Sequence, residues 1–222
     1  SHGIKFVTSI TTTIALILVC ALAVSQIIPT DRTDRSAKVA QGKTTRSKKP
    51  VKTTFTPASG EFRGVWISFQ DIGEKRYTKK QFENFINKTF DNCKKNGFNA
   101  VIVHVRPFAD ALYPSSYFPW SRYVSGKAGK HPGFDPLSYA VSAAHKRGLA
   151  FHAWINPYRI ASNTTNVYKL PKKSIARKWA VSKKASKRRN VLKWDGKLYF
   201  NPASKDVQNL VCNGVREIVR DY

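Results

Sequence analysis

Cysteine is scarce in this sequence. Three cysteines occur in 222 residues, and Cys20 lies in an apolar N-terminal segment, which leaves Cys93 and Cys212 in the body of the protein. This number is too small for a disulfide scaffold, and neither a CxxC pair nor a His/carboxylate set with metal-ligand spacing occurs. We expect no metal and no cofactor. Both cysteines fall at apolar helix positions, which favours free buried thiols over a disulfide or a metal pair.

Acidic residues are scarce too. The chain has 13 Asp and Glu against 39 Lys and Arg, a formal net charge of +26. Such a balance indicates polyanionic surroundings, either nucleic acid or an anionic cell wall or membrane surface. The basic residues lie mostly in two runs, residues 30–60 and 172–189, outside the predicted core elements. No nucleic acid partner is expected, because these runs offer little beyond Trp179 for base stacking.

Residues 1–29 contain an apolar segment that is densest from Ile14 to Val24 and is preceded by Lys5. This pattern predicts an export signal or a membrane anchor. The triplet Ala23-Val24-Ser25 resembles a signal peptidase site, whereas an apolar span of about 19 residues is long enough to cross a bilayer. A retained anchor is slightly favoured, and the protein is then extracytoplasmic and bound to the cell membrane. Cleavage of the signal would make it a secreted protein.

Residues 30–60 are rich in Thr, Ser, Lys and Arg and poor in large apolar side chains. Such a segment buries too little apolar surface to offset the entropy lost on ordering. It is interpreted as a basic disordered linker. Its charge suits a tether that runs along an anionic membrane or wall, and a merely solvated spacer fits equally well.

Residues 61–222 show strand and helix patterns in alternation. The apolar run 61–70 is typical of a strand, and Thr78 with Gln81 forms a capping box for a helix that ends at residues 94–97. The β-branched run 100–106 is the second strand, and Asp135-Pro136 starts the second helix.

The third unit begins with a predicted strand at residues 149–157 and ends with a helix that carries apolar residues on one face from Val207 to Tyr222. Strand and helix alternate three times, which is typical of an α/β fold with parallel strands. Three units cannot close an eight-stranded barrel. Residues 61–222 are therefore interpreted as the N-terminal part of a (β/α)8 TIM barrel, truncated to about three units.

The second strand is expected to deliver the functional site. Pro107 ends it, so Arg106, Asp110 and Tyr113 follow its carboxyl end, where α/β folds bind ligands. Asp110 is the best candidate for a catalytic carboxylate. The alternative is that Asp110 forms only a structural ion pair with Arg106.

Successive side chains of a strand point to opposite faces, so alternate residues share the interior face of a barrel. This alternation predicts that His104 and Arg106 of the second strand share the interior face with His152, Trp154 and Asn156 of the third. Interior histidines that serve only as hydrogen-bonding core residues remain the alternative reading for His104 and His152.

Aromatic side chains are dense around the same strand ends. Sugar rings stack on aromatic faces, while Arg and Asn bind sugar hydroxyls, so this composition indicates a carbohydrate cleft. Trp120 and Tyr113 are the first candidates for stacking, and part of the cluster must pack the loop itself.

Four sequence blocks also carry a family resemblance, namely RGVWIS, VRPFADALYPSSYFPWSRYVSGKAGKHPGFDPLSYAVSAAHKRGL, HAWINPYR and YFNPAS. In this order they resemble the glycosyl-hydrolase-like family 10 proteins of bacterial envelopes. The resemblance implies a (β/α)8 barrel and an exported glycosidase that acts on peptidoglycan strands or another envelope polysaccharide. The family's signature positions fall on the following residues: Arg106, Asp110, Tyr113, Trp120, His152, Trp154, Asn156 and Arg159.

The resemblance also implies a second catalytic carboxylate at the end of the next strand, past Tyr222. Glycoside hydrolysis commonly uses two carboxylates, and only Asp110 is a candidate here. A non-catalytic protein that holds glycan through Tyr113, Trp120 and Trp154 is therefore the rival interpretation. The basic run at residues 172–189 is expected to contact wall polyanions.

Overall fold

Two β-sheets organise residues 60–222, the part of the chain that this computed structural model describes. The predicted signal or anchor at residues 1–29 and all of the predicted linker except Gly60 lie outside the described residues. Within the described range, no helix combines the length and the apolar character that a bilayer span requires.

The first sheet contains three parallel strands in the order β1-β2-β3: β1 Gly64–Ile67, β2 Ala100–Arg106 and β3 Ala150–Ile155. The prediction of a parallel sheet built from these segments is confirmed. Buried residues run almost without interruption along β2, as expected for a central strand covered on both faces.

Helices follow the strands. Within residues 60–222 the α-helices are α1 Phe69–Ile72, α2 Lys79–Lys95, α3 Arg122–Ser125, α4 Pro136–His145, α5 Ile175–Ala180, α6 Ala185–Arg188 and α7 Lys205–Asp221, and a 3-10 helix spans Val167–Lys169. Residues 60–222 thus form a mixed α/β structure with a parallel sheet, consistent with part of a (β/α) barrel.

The caps predicted for the two longer helices before β3 are present. Thr78 accepts from the backbone of Gln81 while the Gln81 side chain accepts from the backbone of Thr78, and the capping box is complete. Asp135 accepts hydrogen bonds from the backbone of Leu137 and Ser138 at the start of α4. Both helices therefore begin where their local sequence dictates.

The first strand is shorter than predicted. It ends at Ile67, because Ser68 and Asp71 form a second capping box that starts the short helix α1. Gln70, which had been assigned to the strand, therefore lies in a helix. Phe69 consequently turns inward and packs against the ring of His104, with ring centroids 5.4 Å apart.

The second sheet lies inside the segment from residue 158 to residue 203, for which no strands were predicted. It is antiparallel, in the order β4-β6-β5, with β4 Arg159–Ala161, β5 Val191–Trp194 and β6 Lys197–Phe200. Asp195 and Gly196 both have positive φ, at 46° and 65°, and form the tight turn between β5 and β6. An Asp-Gly pair between two short strands is the sequence signal that was missed.

Both cysteines of the described residues are free thiols. Cys93 is buried on α2, where burial raises the pKa of its thiol, and Cys212 is half-buried on α7. The prediction of free thiols is confirmed, with less complete burial for Cys212.

Candidate active site

The carboxyl end of β2 changes register just before it reaches the site. His104 pairs with Trp154, but Arg106 pairs with Ile155, so Val105 is an extra residue in the strand. The prediction that His104 and Arg106 share one face is therefore wrong. Because side chains alternate along a strand, a one-residue shift turns Arg106 to the other side of the sheet.

Arg106 is buried beneath the loop that follows β2. Its side chain is 1% exposed, and its guanidinium carbon is 4.3 Å from the ring centroid of Phe118. Neither terminal nitrogen has a hydrogen-bond partner within residues 60–222. Burial lowers the pKa of Arg106, and the nearby charges of Tyr113, Glu217 and Asp110 act against that shift.

Tyr113 shares this buried region. It has no exposed surface, its ring meets that of Tyr222 edge-on at 6.1 Å, and its hydroxyl is unpartnered in the described structure. Burial raises its pKa to about 12, while the positive charge of Arg106 acts in the opposite direction. As folded here, Tyr113 offers no surface on which a sugar ring can stack.

Helix α7 holds the loop after β2 in place. The carboxylate of Glu217 is buried and accepts hydrogen bonds from the hydroxyl of Ser115 and from the backbone amide of Ser116, the latter at 2.6 Å. Farther along the helix, the hydroxyl of Tyr222 donates to Asp135 at 2.8 Å. These contacts join α7 to the loop after β2 and to the start of α4.

Asp110 is half-buried at the start of that loop. Its carboxylate accepts from the backbone amide of Phe108 at 3.2 Å. Burial raises the pKa of Asp110 from 3.8 to about 6, although Ser121, Phe108 and two arginines favour its charged form. A carboxyl group with this pKa is present in both protonation states near neutral pH, as proton transfer requires.

Asp110 lines a pocket of about 290 Å³ that lies between the loop after β2 and the segment after β3. The other polar side chains that line the pocket come from Arg122, Lys169, Ser174 and the run Ser162-Asn163-Thr164. Arg122 also forms an ion pair with Glu74 at 3.2 Å. Among the described residues that line this pocket, Asp110 is the sole carboxyl group.

A second group of candidates lies on the opposite face of the first sheet. The ring of His104 stacks on Trp154 at 3.7 Å with an interplanar angle of 5°, and Trp154 meets Trp66 edge-on at 4.9 Å. His104 is buried, and neither ring nitrogen has a hydrogen-bond partner among residues 60–222. Burial, with a smaller contribution from the charge of Arg159, lowers the pKa of His104 to about 4. His104 is therefore neutral at physiological pH.

The remaining predicted residues are spread around these two groups. His152 is exposed and contacts the ring of Phe62 at 5.3 Å. Trp120 is half-buried and contacts His131 rather than the Asp110 pocket. The side chain of Asn156 donates to the carbonyl of Pro107 at 3.0 Å, which ties the end of β3 to the end of β2.

The structure thus divides the predicted site. Asp110 lies in the pocket, Arg106 and Tyr113 lie buried behind it, and Trp154 lies with His104 on the other face of the first sheet. Phe69 bridges the two regions, since its ring contacts both His104 and Phe108, and Phe108 lines the pocket. No three His, Cys, Asp or Glu side chains of the described part are grouped so that they could hold a metal ion.

Sequence reasoning missed the far wall of the pocket. This wall is formed by Ile160 and Ala161 of β4, by the polar run 162–164 that follows β4, and by Lys169 a few residues later. The available signal was the position of a Ser/Asn/Thr run just past a strand that Pro157 ends, because loops at this end of parallel strands build ligand sites.

Comparison with known proteins finds a family model that matches this chain. The model described as "Glycosyl hydrolase-like 10" matches residues 61–222. Among curated proteins, the chain is 40% identical over 170 residues to "Glycosyl hydrolase YngK" of Bacillus subtilis (strain 168), an alignment that covers 73% of this chain and 31% of that protein. It is 30% identical over 185 residues to "Glycosyl hydrolase DigH" of Escherichia coli (strain K12), covering 78% of this chain and 42% of that protein.

These figures confirm the family resemblance drawn from the four sequence blocks. They also show that the aligned part of the chain spans only 31% to 42% of the length of the curated relatives.

Proposed function

Since the chain belongs to the glycosyl hydrolase-like 10 family, we propose that it provides the proton-donating carboxyl group of a glycoside hydrolase and that this group is Asp110. One observation carries the proposal: Asp110 lines the pocket at the strand ends, and the pKa of its carboxyl group is raised to about 6. The volume of about 290 Å³ is at the small end of ligand pockets, which typically measure ~300–1,000 Å³, and fits one sugar unit better than a long segment.

In the proposed reaction, protonated Asp110 donates its proton to the glycosidic oxygen as the bond to the anomeric carbon breaks. In one route water bonds to that carbon while a second carboxylate takes the proton of the water; in the other the second carboxylate bonds to the carbon, and water then hydrolyses this ester while the ionised Asp110 takes the proton of the water. Arg122 and Lys169 face the same pocket and are suited to bind sugar hydroxyls or an acidic substituent. Arg106, behind the pocket, is proposed to act on Asp110 through its charge.

The proposed substrate is a bacterial cell-wall glycan such as the glycan strand of peptidoglycan. The net charge of +26 supports it, because a cationic protein is retained at an anionic wall or membrane surface. The apolar segment within residues 1–29 supports an extracytoplasmic location, anchored in the membrane or secreted after cleavage. We also propose that the β1-β2-β3 sheet is part of a closed (β/α)8 barrel, since its strands are parallel and in sequential order.

The hydrolase proposal is tested with the complete gene product and purified glycan strands. Wild type is expected to release new reducing ends, and Asp110→Asn is expected to lower that rate by about 100-fold or more, because general acid catalysis typically contributes that much. Asp91→Asn is the matched control, since Asp91 is an exposed carboxylate on α2 and does not line the pocket.

The outcomes distinguish a glycoside hydrolase from a non-catalytic glycan-binding protein. Loss of activity in Asp110→Asn, with the control unaffected and glycan binding retained, supports the hydrolase. If wild type binds glycan but releases no reducing ends, the protein is a non-catalytic binder and the hydrolase proposal fails. If Asp110→Asn remains fully active, Asp110 is not the proton donor.

A further inference from the structure

The outer face of the second sheet presents a row of side chains that are suited to carbohydrate. Arg159 on β4 lies directly opposite Tyr199 on β6, and Tyr199 in turn lies opposite Leu192 on β5. Directly opposite residues of antiparallel strands point to the same face. Trp194 shares this face, because it is two residues from Leu192 and its ring is 6.3 Å from that of Tyr199.

Trp194 is unusually exposed for its type. Its exposed fraction is 70%, although Trp side chains are on average well buried in folded proteins. The backbone beneath it is nonetheless well fixed, because β5 and β6 pair over four residues each and the Asp195-Gly196 turn suits the twist of a hairpin. An exposed indole on a rigid hairpin loses little entropy when it binds a partner.

Strand β4 contributes residues both to this face and to the lining of the Asp110 pocket. The pairing of β4 with β6 shifts by one residue between Arg159 and Ala161. Arg159 therefore shares the face of Tyr199, while Ile160 and Ala161 line the pocket. The same short strand contributes to both surfaces.

We propose that Arg159, Tyr199 and Trp194 form a platform that binds sugar units of the same glycan chain whose scissile bond lies at Asp110. The assignment of this ligand rests on the proposed function. The row runs from β4 across β6 to β5, a distance of about 10 Å because neighbouring strands lie ~4.8 Å apart, and it is therefore longer than a single sugar ring. The platform binds a glycan chain away from the cleavage point.

The chemistry of the row favours a glycan. The C–H faces of a sugar ring pack on the rings of Tyr199 and Trp194, and the guanidinium of Arg159 donates to hydroxyl or carboxylate groups along the edge of the sugar. Lys197 adds a cation next to the row, and its ammonium is paired with the carboxylate of Asp195. An apolar protein partner would instead meet a face interrupted by these charges.

The test measures binding of a long oligosaccharide and of a disaccharide made of the same sugars. It uses the complete gene product in the Asp110→Asn background, so that no cleavage occurs. Trp194→Ala is expected to raise the Kd for the long ligand by about tenfold and to leave the Kd for the disaccharide unchanged. Trp194→Tyr is expected to retain most of the affinity, because it keeps an aromatic face.

Val219→Ala is the control, since Val219 is 74% exposed on α7, outside the second sheet. An unchanged Kd for the long ligand in Trp194→Ala overturns the platform, as does an equal loss of affinity for both ligands. Failure of the hydrolase proposal gives a different result. In that case the Asp110-containing protein releases no reducing ends, while the Trp194-dependent binding of the long ligand remains and supports the platform.

Discussion

Gly214 on α7 lies so close to the guanidinium of Arg106 that no side chain fits between them. A Cβ atom built on Gly214 would overlap Nη1 of Arg106 and would lie 2.8 Å from Cε2 of Phe118. The helix approaches the buried cation this closely because glycine has no side chain. Arg106 is thus enclosed by Phe118 on one side and by the backbone of α7 on another.

Gly214→Ala is therefore expected to destabilise the protein. Alanine would gain about 1 kcal/mol from its higher helix propensity. The overlap should outweigh this gain, because overpacking typically destabilises by about 1–3 kcal/mol and the two side chains that would be overlapped, Arg106 and Phe118, are both buried. Chemical denaturation measures the difference, and Asn209→Ala, an exposed position on the same helix, is the comparison. A stability above wild type would contradict the close approach.

Arg106 itself allows stability and function to be separated. Arg106→Met keeps a similar volume and removes a buried charge whose two terminal nitrogens lack hydrogen-bond partners, so its free energy of unfolding should equal or exceed that of wild type. Arg106→Ala should lose about 2–5 kcal/mol, because it leaves a cavity under the loop. If Arg106 acts on the reaction, Arg106→Met folds normally but hydrolyses glycan more slowly. Equal rates for this variant and wild type would restrict Arg106 to a structural role.

The raised pKa of Asp110 makes a prediction about pH and stability. The folded protein holds this proton up to a pH of about 6, whereas the unfolded chain loses it near 3.8. Between these values the folded state binds more protons, so the contribution of Asp110 to stability falls as pH rises, by about 2–3 kcal/mol in all. Asp110→Asn should therefore be more stable than wild type at pH 7, with the difference absent at pH 4, as denaturation at both pH values would test. The same pKa predicts that the rate of hydrolysis declines above pH 6 or so.

The contribution of His104 to stability should change with pH in the opposite direction to that of Asp110. Its pKa is lowered from 6.5 to about 4, so the unfolded chain takes up a proton before the folded protein does as the pH falls. The contribution of His104 is complete above pH 6.5 and is lost toward pH 4, by about 3 kcal/mol in all. His104→Phe keeps the stacking on Trp154 and should make the acid side of the stability curve flatter. Unfolding at a series of pH values measures that slope, and an unchanged slope would contradict the burial of a neutral imidazole.

The parts of the fold that the sequence predicts are those encoded by local signals. The capping box of Thr78 with Gln81 and the Asp135-Pro136 pair each define the start of a helix within a few residues. The second sheet was missed because the charge of residues 172–189 dominates its surroundings and its strands have only three or four residues. The Asp195-Gly196 turn was the one local signal available there.

The candidate site was predicted less completely, since it depends on contacts between distant segments. The position of Asp110 past the end of β2 follows from Pro107 alone. The burial of Tyr113 depends on α7, about a hundred residues later in the chain, and the orientation of Arg106 depends on a register shift. Val105 is apolar and suits either face of a strand, so its sequence context does not reveal the shift.

Register shifts occur in both strands that reach the pocket, at Val105 in β2 and at Ile160 in β4. Each bulge absorbs its extra residue, so the side chains on both sides of it keep their own partners on the neighbouring strand. Deletion of Val105 or Ile160 would therefore leave those pairs unchanged and would remove only the local bend of the bulge. Deletion of a residue from a regularly paired part of β2 would instead turn the side chains that follow it to the other face of the sheet. A one-residue deletion at either bulge should thus be tolerated better than a one-residue deletion elsewhere in β2.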